Sequence, residues 1–248
     1  MAIDLNGNEV LIKSKKRVQQ HGEVFTPKEI VDAMVTLPGL SDFITQVTTT
    51  VLEPSVGEGA FLINILERRL QLLITKFPDD LVRFENYALL AISSLYGVEL
   101  LEDNVKKCVM NLYVSFLDFY KDFAAKFNKT PKNDVLESAK TIIAINIVQG
   151  DFLKRKKSDG KPIVFSEWEP LGLKTNTKHI KVIRTDHTLQ DIFDHRKIPQ
   201  GTVYTYIPET KQLGLFDDPV EQPILPVYRY LPVFIAEVYK QEMEEIES

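Results

Sequence analysis

Two glycines flank an acid in Gly57-Glu58-Gly59, between a β-branched run ending at Glu53-Pro54 and a long amphipathic stretch that begins at Phe61. A turn so placed presents backbone N–H groups and a helix N-terminus at the carboxyl edge of a sheet, where ligands of doubly wound folds bind. A dinucleotide pyrophosphate asks for a third glycine in G-x-G-x-x-G, and Leu62 stands at that position. The sequence supplies acids instead. Glu53 directly precedes the turn, Glu99 closes the next strand-like run beside Leu100, and Asp151 closes a third with Phe152 next to it. A ligand carrying a cationic amino group and a ribose diol would pair with Glu53 and donate both hydroxyls to Glu99. Asp151 would accept from an adenine amino group, with Phe152 as a stacking surface. S-adenosylmethionine has these groups and no phosphate.

For these acids to meet, their strands must end at one edge. Thr48 to Glu53 reads as the first strand, and Phe61 to Phe77 as the helix after it, with Leu62, Ile65, Leu66, Leu70 and Leu73 inward. Upstream, Thr26-Pro27 caps a helix whose apolar positions Ile30, Val31, Met34, Val35 and Leu37 recur at helical spacing as far as Pro38-Gly39. Asp80 to Ser93 reads as a helix and Leu95 to Glu99 as a short buried strand. Asp103-Asn104 caps a further helix with Val105, Cys108, Val109, Leu112, Phe116, Leu117, Tyr120 and Phe123 on one side, and Thr141 to Val148 reads as the third strand, ending at Gly150-Asp151. The alternation predicts an α/β fold with a parallel sheet, right-handed connections and helices on both faces. The 40 residues between Gly59 and Glu99 imply an inserted helix.

Beyond residue 153 the pattern weakens. Pro162 to Trp168 and Lys178 to Arg184 read as strands, and Leu189 to Phe193 as a helical turn. Six of the 13 prolines fall in the last fifty residues, so 199–231 reads as an extended arm and Val233 to Glu245 as a terminal helix. The expected organisation is an N-terminal helical arm over 1–20, a domain over 21–198, and an irregular, proline-rich acidic arm with its helix over 199–248.

The chain has 248 residues, a net charge of −5 and 44% hydrophobic residues, an ordinary globular balance that excludes collagen-like and wholly disordered classes. No apolar run approaches the ~20 residues of a membrane span, and the N-terminus lacks a signal-peptide core, so a cytoplasmic protein with no membrane partner is expected. The single cysteine, Cys108, fits a helical core position, and His179, His187 and His195 stand without paired carboxylates, so no metal is expected. Charge is segregated. Residues 154–200 carry eleven Lys/Arg against six acids, and 201–248 carry three against nine. A basic block before an acidic tail suits a polyanion-facing surface, or two solvated faces of opposite sign.

Leu52-Glu53-Pro54-Ser55-Val56-Gly57-Glu58-Gly59-Ala60-Phe61 resembles motif I of the amino-group DNA methyltransferases, and Gly22-Glu23-Val24-Phe25-Thr26-Pro27 resembles their motif X. Gly97-Val98-Glu99 and Gly150-Asp151-Phe152-Leu153 are similar to motifs II and III. Motif X before motif I is the order of the gamma-type N6-adenine enzymes, which include the modification subunits of type I restriction systems. The resemblance covers residues 21–153. It implies a Rossmann-like S-adenosylmethionine-dependent methyltransferase domain that transfers a methyl group to N6 of a flipped adenine in DNA. It also implies cofactor contacts from Glu23, Phe25, Thr26, Pro27, Glu53, Pro54, Ser55, Gly57, Gly59, Phe61, Glu99, Leu100, Asp151 and Phe152.

The family's catalytic Asn/Asp-Pro-Pro-Tyr/Phe loop is missing, since no Pro-Pro dipeptide occurs anywhere. At its expected place stands Ser166-Glu167-Trp168-Glu169, where Trp168 could stack a base and Glu167 is no copy of the amide. Two readings follow. One is the cofactor-binding half of a split, restriction-modification or phage-type enzyme whose partner chain carries Asn-Pro-Pro-Tyr. The other is a methyltransferase-like protein that binds cofactor, DNA or a partner without catalysing. In the acidic arm, Gln212-Leu213-Gly214-Leu215-Phe216 resembles the pentapeptide that docks bacterial proteins on the replicative sliding clamp, against which stands packing of the same side chains on this protein or its partner.

Overall fold

The computed structural model describes residues 11–174, 177–206 and 227–246. Three parallel strands, β1 (Val51–Glu53), β2 (Leu95–Glu99) and β3 (Ile147–Gln149), form a sheet in that order, with Glu53 opposite Gly97 and Glu99 opposite Gln149. The carboxyl ends of all three therefore open on one edge. β2, central and paired on both sides, is buried along its whole length. Leu95 and Ile147 join the helical core, while Tyr96, Val98 and Val148 join a smaller cluster with Ile163, Phe165 and Leu189. The second face is thus covered by the chain after residue 160, not by the helices expected there.

Among the described residues seven helices come before residue 160: α1 (Lys15–His21), α2 (Lys28–Val35), α3 (Leu40–Ile44), α4 (Ala60–Lys76), α5 (Leu81–Ser93), α6 (Glu102–Ala125) and α7 (Asn133–Asn146). In α4 the five residues predicted to face inward are all buried. The inserted helix is α5. Asp80 caps it by accepting from Arg83 N–H at 3.1 Å, and nearly every side chain is buried, as an apolar helix wrapped on all sides must be. Arg69 on α4 is fully buried at 0% exposure and ties three segments together. Its guanidinium donates to the carbonyls of Ile44 (2.8 Å), Thr49 (2.7 Å) and Ala91 (2.9 Å) and to the Ser94 hydroxyl (2.8 Å).

Three expectations are corrected. The run Thr141 to Val148 is helical as far as Asn146, and only Ile147–Gln149 is strand. Val135, Ala139, Ile142, Ile143 and Asn146 repeat every three to four residues and are buried, so helical spacing outweighs local β-branching. Pro27, not Thr26, stands at the N-cap of α2, and Ile30, Met34 and Leu37 are exposed while Val31 and Val35 pack inward. Leu101, not Asp103-Asn104, stands at the N-cap of α6. In the N-terminal arm, Ser14 caps the helix α1, and the segment docks on α6.

Downstream, β4 (Val164–Leu171) and β5 (Lys181–Thr188) pair antiparallel over eight residues, and α8 (Leu189–Phe193) follows with a capping box on Thr188 and Asp191. Residues 233–246 differ from the expected terminal helix. β6 (Val227–Tyr230) pairs with β8 (Met243–Ile246), and β7 (Val233–Phe234) adds to β5. Between β7 and β8, Ile235–Lys240 form a 3₁₀-helix that buries Ile235 and Val238 in the main core. Asp186, nearly buried, gathers the Ser166 hydroxyl (2.7 Å), the Tyr230 hydroxyl (3.0 Å) and Tyr204 N–H (3.2 Å). Gln212 to Phe216 lie outside the described residues. Among those described, no helix is long and apolar enough to cross a membrane.

Candidate functional site

A cleft of about 390 Å³ opens at the carboxyl ends of β1, β2 and β3. Its floor is the turn after β1. Gly57 and Gly59 both have positive φ, +55° and +96°, and an added Cβ at Gly59 would stand 2.9 Å from Cys108 Sγ, so neither position takes another residue without strain. Gly57 N–H donates to Glu99 Oε2 at 3.0 Å, and Leu101 N–H donates to Glu99 Oε1 at 3.0 Å. Glu99 is thereby held across the turn with lone pairs to spare for a ligand. Burial pushes the Cys108 thiol up to about 12, with Glu99 adding to the effect, so this cysteine is an inert packing group under Gly59.

The second wall is the N-terminal segment. Arg17 on α1 forms a fork with the Glu23 carboxylate and also donates to Asp103 Oδ2 at 2.8 Å. Lys13 reaches Glu58 (3.0 Å) and Asp103 (3.1 Å). Asn104, 1% exposed on the first turn of α6, donates to Glu23 Oε1 at 2.7 Å and lies 3.4 Å from Glu99 Oε1. The hydrogen bond from Arg17 leads in lowering the Asp103 carboxyl to about 2. For Glu23, burial alone would raise the carboxyl, but its bonds to Arg17 and Asn104 prevail and hold it low. The Phe25 ring completes this wall, packed against Gly57 and faced by Lys13 Nζ at 5.6 Å.

The cleft brings together most of the residues expected from the sequence: Glu23, Phe25, Thr26, Pro54, Ser55, Gly57, Phe61, Glu99, Leu100, Asp151 and Phe152. Glu53, Pro27 and Gly59 do not line it. Glu53 sits at the end of β1 and accepts from Ser55 N–H at 3.3 Å. Desolvation raises its carboxyl and that hydrogen bond opposes the rise. Trp168 and Glu167 are elsewhere. Trp168 is 3% exposed in the main core with Arg184 over its ring at 5.4 Å, and is therefore no surface for a base. Glu167 faces solvent from β4 and pairs with His187 Nε2 at 3.0 Å, which holds its carboxyl low. Sequence reading missed Glu58, Asn104 and the α1 cations. Asn104 was visible as a polar residue four positions before Cys108 on the inward stripe.

Four carboxylates line the cleft; Glu23 pairs with Arg17, Glu58 with Lys13 and Lys107, and Asp151 with Lys154, while Glu99 is held by backbone N–H groups. Glu99 thus keeps acceptor capacity for the hydroxyl donors of a ligand. Among the described residues no group of three or more His, Cys, Asp or Glu could hold a metal ion. Residues 8–160 match the family model of the N-6 DNA methylases, well over half of the chain. The chain belongs to the N-6 DNA methylase family. No curated protein and no solved structure matches it. Within this DNA methyltransferase family member, the matched residues take in α1 to α7, all three parallel strands and the whole cleft, and stop before β4.

Proposed function

We propose that this chain is the S-adenosylmethionine-binding subunit of an adenine-N6 DNA methyltransferase, Rossmann-like over residues 21–153, whose base-holding loop comes from a partner polypeptide. The observation that carries the cofactor assignment is Glu99, a carboxylate fixed by Gly57 and Leu101 N–H in a cleft at the carboxyl edge of a parallel sheet. The donor set suits the cofactor. Glu99 accepts from a diol, Asp151 and Phe152 receive an adenine ring, and the backbone of Pro54 to Gly57 takes the amino-acid end. When bound, S-adenosylmethionine supplies a methyl group already activated by its sulfonium, so the protein's work is alignment and exclusion of water. Phe25, Phe61 and Phe152 provide apolar walls for that purpose.

Two features support the partner. The chain lacks the Pro-Pro loop, and the strand that stands where the loop is expected, β4, pairs with β5 and not with β1, whose outer edge has no strand among the described residues. The burial of Trp168 removes its one in-chain substitute. The same features favour the second reading, a non-catalytic member that binds DNA or a partner.

Calorimetry with S-adenosylmethionine tests the first part, and absence of binding by the full chain and by its complex overturns it. Radiolabelled methyl transfer to DNA tests the second. No incorporation is expected from the chain alone, and incorporation is expected on adding the product of a neighbouring reading frame that carries Asn-Pro-Pro-Tyr. Robust transfer by the single chain refutes the partner, and none by any pairing favours the non-catalytic reading.

A further inference from the structure

The turn after β3 is fixed by its backbone. Asp151 and Lys156 exchange N–H to carbonyl bonds of 2.8 and 3.3 Å around a four-residue loop, and Lys156 bridges on to Pro162. Inside the loop, Arg155 N–H donates to the Phe152 carbonyl at 3.2 Å and Lys154 N–H donates to Asp151 Oδ1 at 3.0 Å. Phe152 meets Phe193 edge-on at 5.8 Å. The Arg155 guanidinium lies 4.4 Å over the Phe193 ring and donates to Gln190 Oε1 at 2.6 Å. Leu153, at the tip, takes part in none of these contacts. At 90% it is the most exposed large apolar side chain among the described residues.

An apolar tip on a rigid turn is presented outward by the backbone. Around it, residues 151–161 hold five bases, Lys154, Arg155, Lys156, Lys157 and Lys161, against Asp151 and Asp159; Lys154 pairs with Asp151 at 3.0 Å and Lys161 with Asp159 at 3.3 Å, and both lysines stay largely exposed. Phe152 and Leu153 both line the mouth of the acidic cleft.

We infer that Leu153 is a wedge that enters the base stack of a DNA duplex beside the cleft, with Lys154, Lys156 and Lys157 on the flanking phosphates; this rests on the DNA methyltransferase reading. Protein interfaces are depleted of lysine at their centres, so a lone leucine ringed by lysines suits a protein partner poorly. It suits a duplex well. Phosphate contacts supply the affinity, and an inserted apolar side chain spends part of it on unstacking a step. Because Phe152 faces the cleft from the same turn, a nucleotide displaced at Leu153 leaves the stack next to the site that would hold the methyl donor.

Fluorescence anisotropy of the full chain on a duplex of about 20 base pairs, intact or with one abasic site, tests this. The abasic duplex has no stacking to break at the gap, so the wild type should bind it ~10-fold more tightly. Leu153→Ala, a change at a 90% exposed side chain, should reduce that preference to about two-fold or less. Lys154→Ala with Lys157→Ala should weaken both duplexes alike and reduce the salt slope by about 2. Failure to bind either duplex at low salt, or an undiminished abasic preference in Leu153→Ala, overturns the wedge. A Leu153→Ala chain that binds both duplexes normally but sediments differently makes the turn a protein contact and likewise overturns it. Calorimetry with S-adenosylmethionine on the same samples reports on the cofactor reading independently.

Discussion

Gly57 N–H and Glu99 Oε2, 42 residues apart in sequence, meet at 3.0 Å and join the turn after β1 to the end of β2. One carboxylate thus shapes the floor of the cleft and faces the ligand.

Replacing Glu99 by Gln keeps an acceptor for Gly57 while removing the charge. S-adenosylmethionine binding should weaken by ~1–3 kcal/mol, through loss of charge-assisted hydrogen bonds, with the melting temperature within a few degrees of wild type. Calorimetry and a thermal melt on one sample check both. Unchanged affinity would remove Glu99 from the cofactor site.

Gly59→Ala should cost ~1–3 kcal/mol in urea unfolding, from a left-handed φ and the approach to Cys108. Adding Cys108→Ala relieves the contact and leaves φ strained, so the double variant should recover only part of the loss. Full recovery would show that the contact alone matters.

Arg69→Met should cost about 3 kcal/mol or more, because the carbonyls of Ile44, Thr49 and Ala91 stay buried without a donor. Burial has already pushed this guanidinium down to about 10 with no carboxylate among these three carbonyls and the Ser94 hydroxyl, which marks it as a tie between segments. A loss below about 1 kcal/mol in denaturant unfolding would mean that water replaces it.

Acid should release α1 from the cleft wall. The Asp103 carboxyl is depressed in the folded state, to about 2 from 3.8, so its contribution to docking is complete above its ordinary value and is lost as pH falls through about 2. Amide chemical shifts of residues 15–21 should move over that range. Asp103→Asn should shift them toward the undocked values already at neutral pH. Shifts that ignore both changes would show that α1 is held by other contacts.

The cleft was legible because its residues lie next to punctuation. Glu53-Pro54, the two glycines and Gly150-Asp151 mark strand ends and turns in one dimension, and 11 of the 14 expected cofactor residues line the cleft. Length was harder. Ile142 and Ile143 have the same local chemistry in a strand and in a buried helix, and only packing on neighbouring helices makes α7 helical to Asn146. The docking of α1 was hidden for a different reason. Lys13 and Arg17 find Glu58 and Asp103 more than 40 residues away, and no hydrophobic period announces an ion-paired helix. Trp168 was misplaced because an aromatic side chain in a short run gives no sign of which face of the strand is buried.

β1 is three residues long and is stopped by Pro54, which has no N–H to donate. Sheet edges are where unlike chains and like chains alike can zip together, and a row of unpaired backbone groups is the template for aggregation. An edge this short offers a second copy only a few hydrogen bonds, below what a two-stranded pairing needs to persist in water. Brevity and a proline thus protect the outer edge of β1, unpaired among the described residues, against runaway self-stacking.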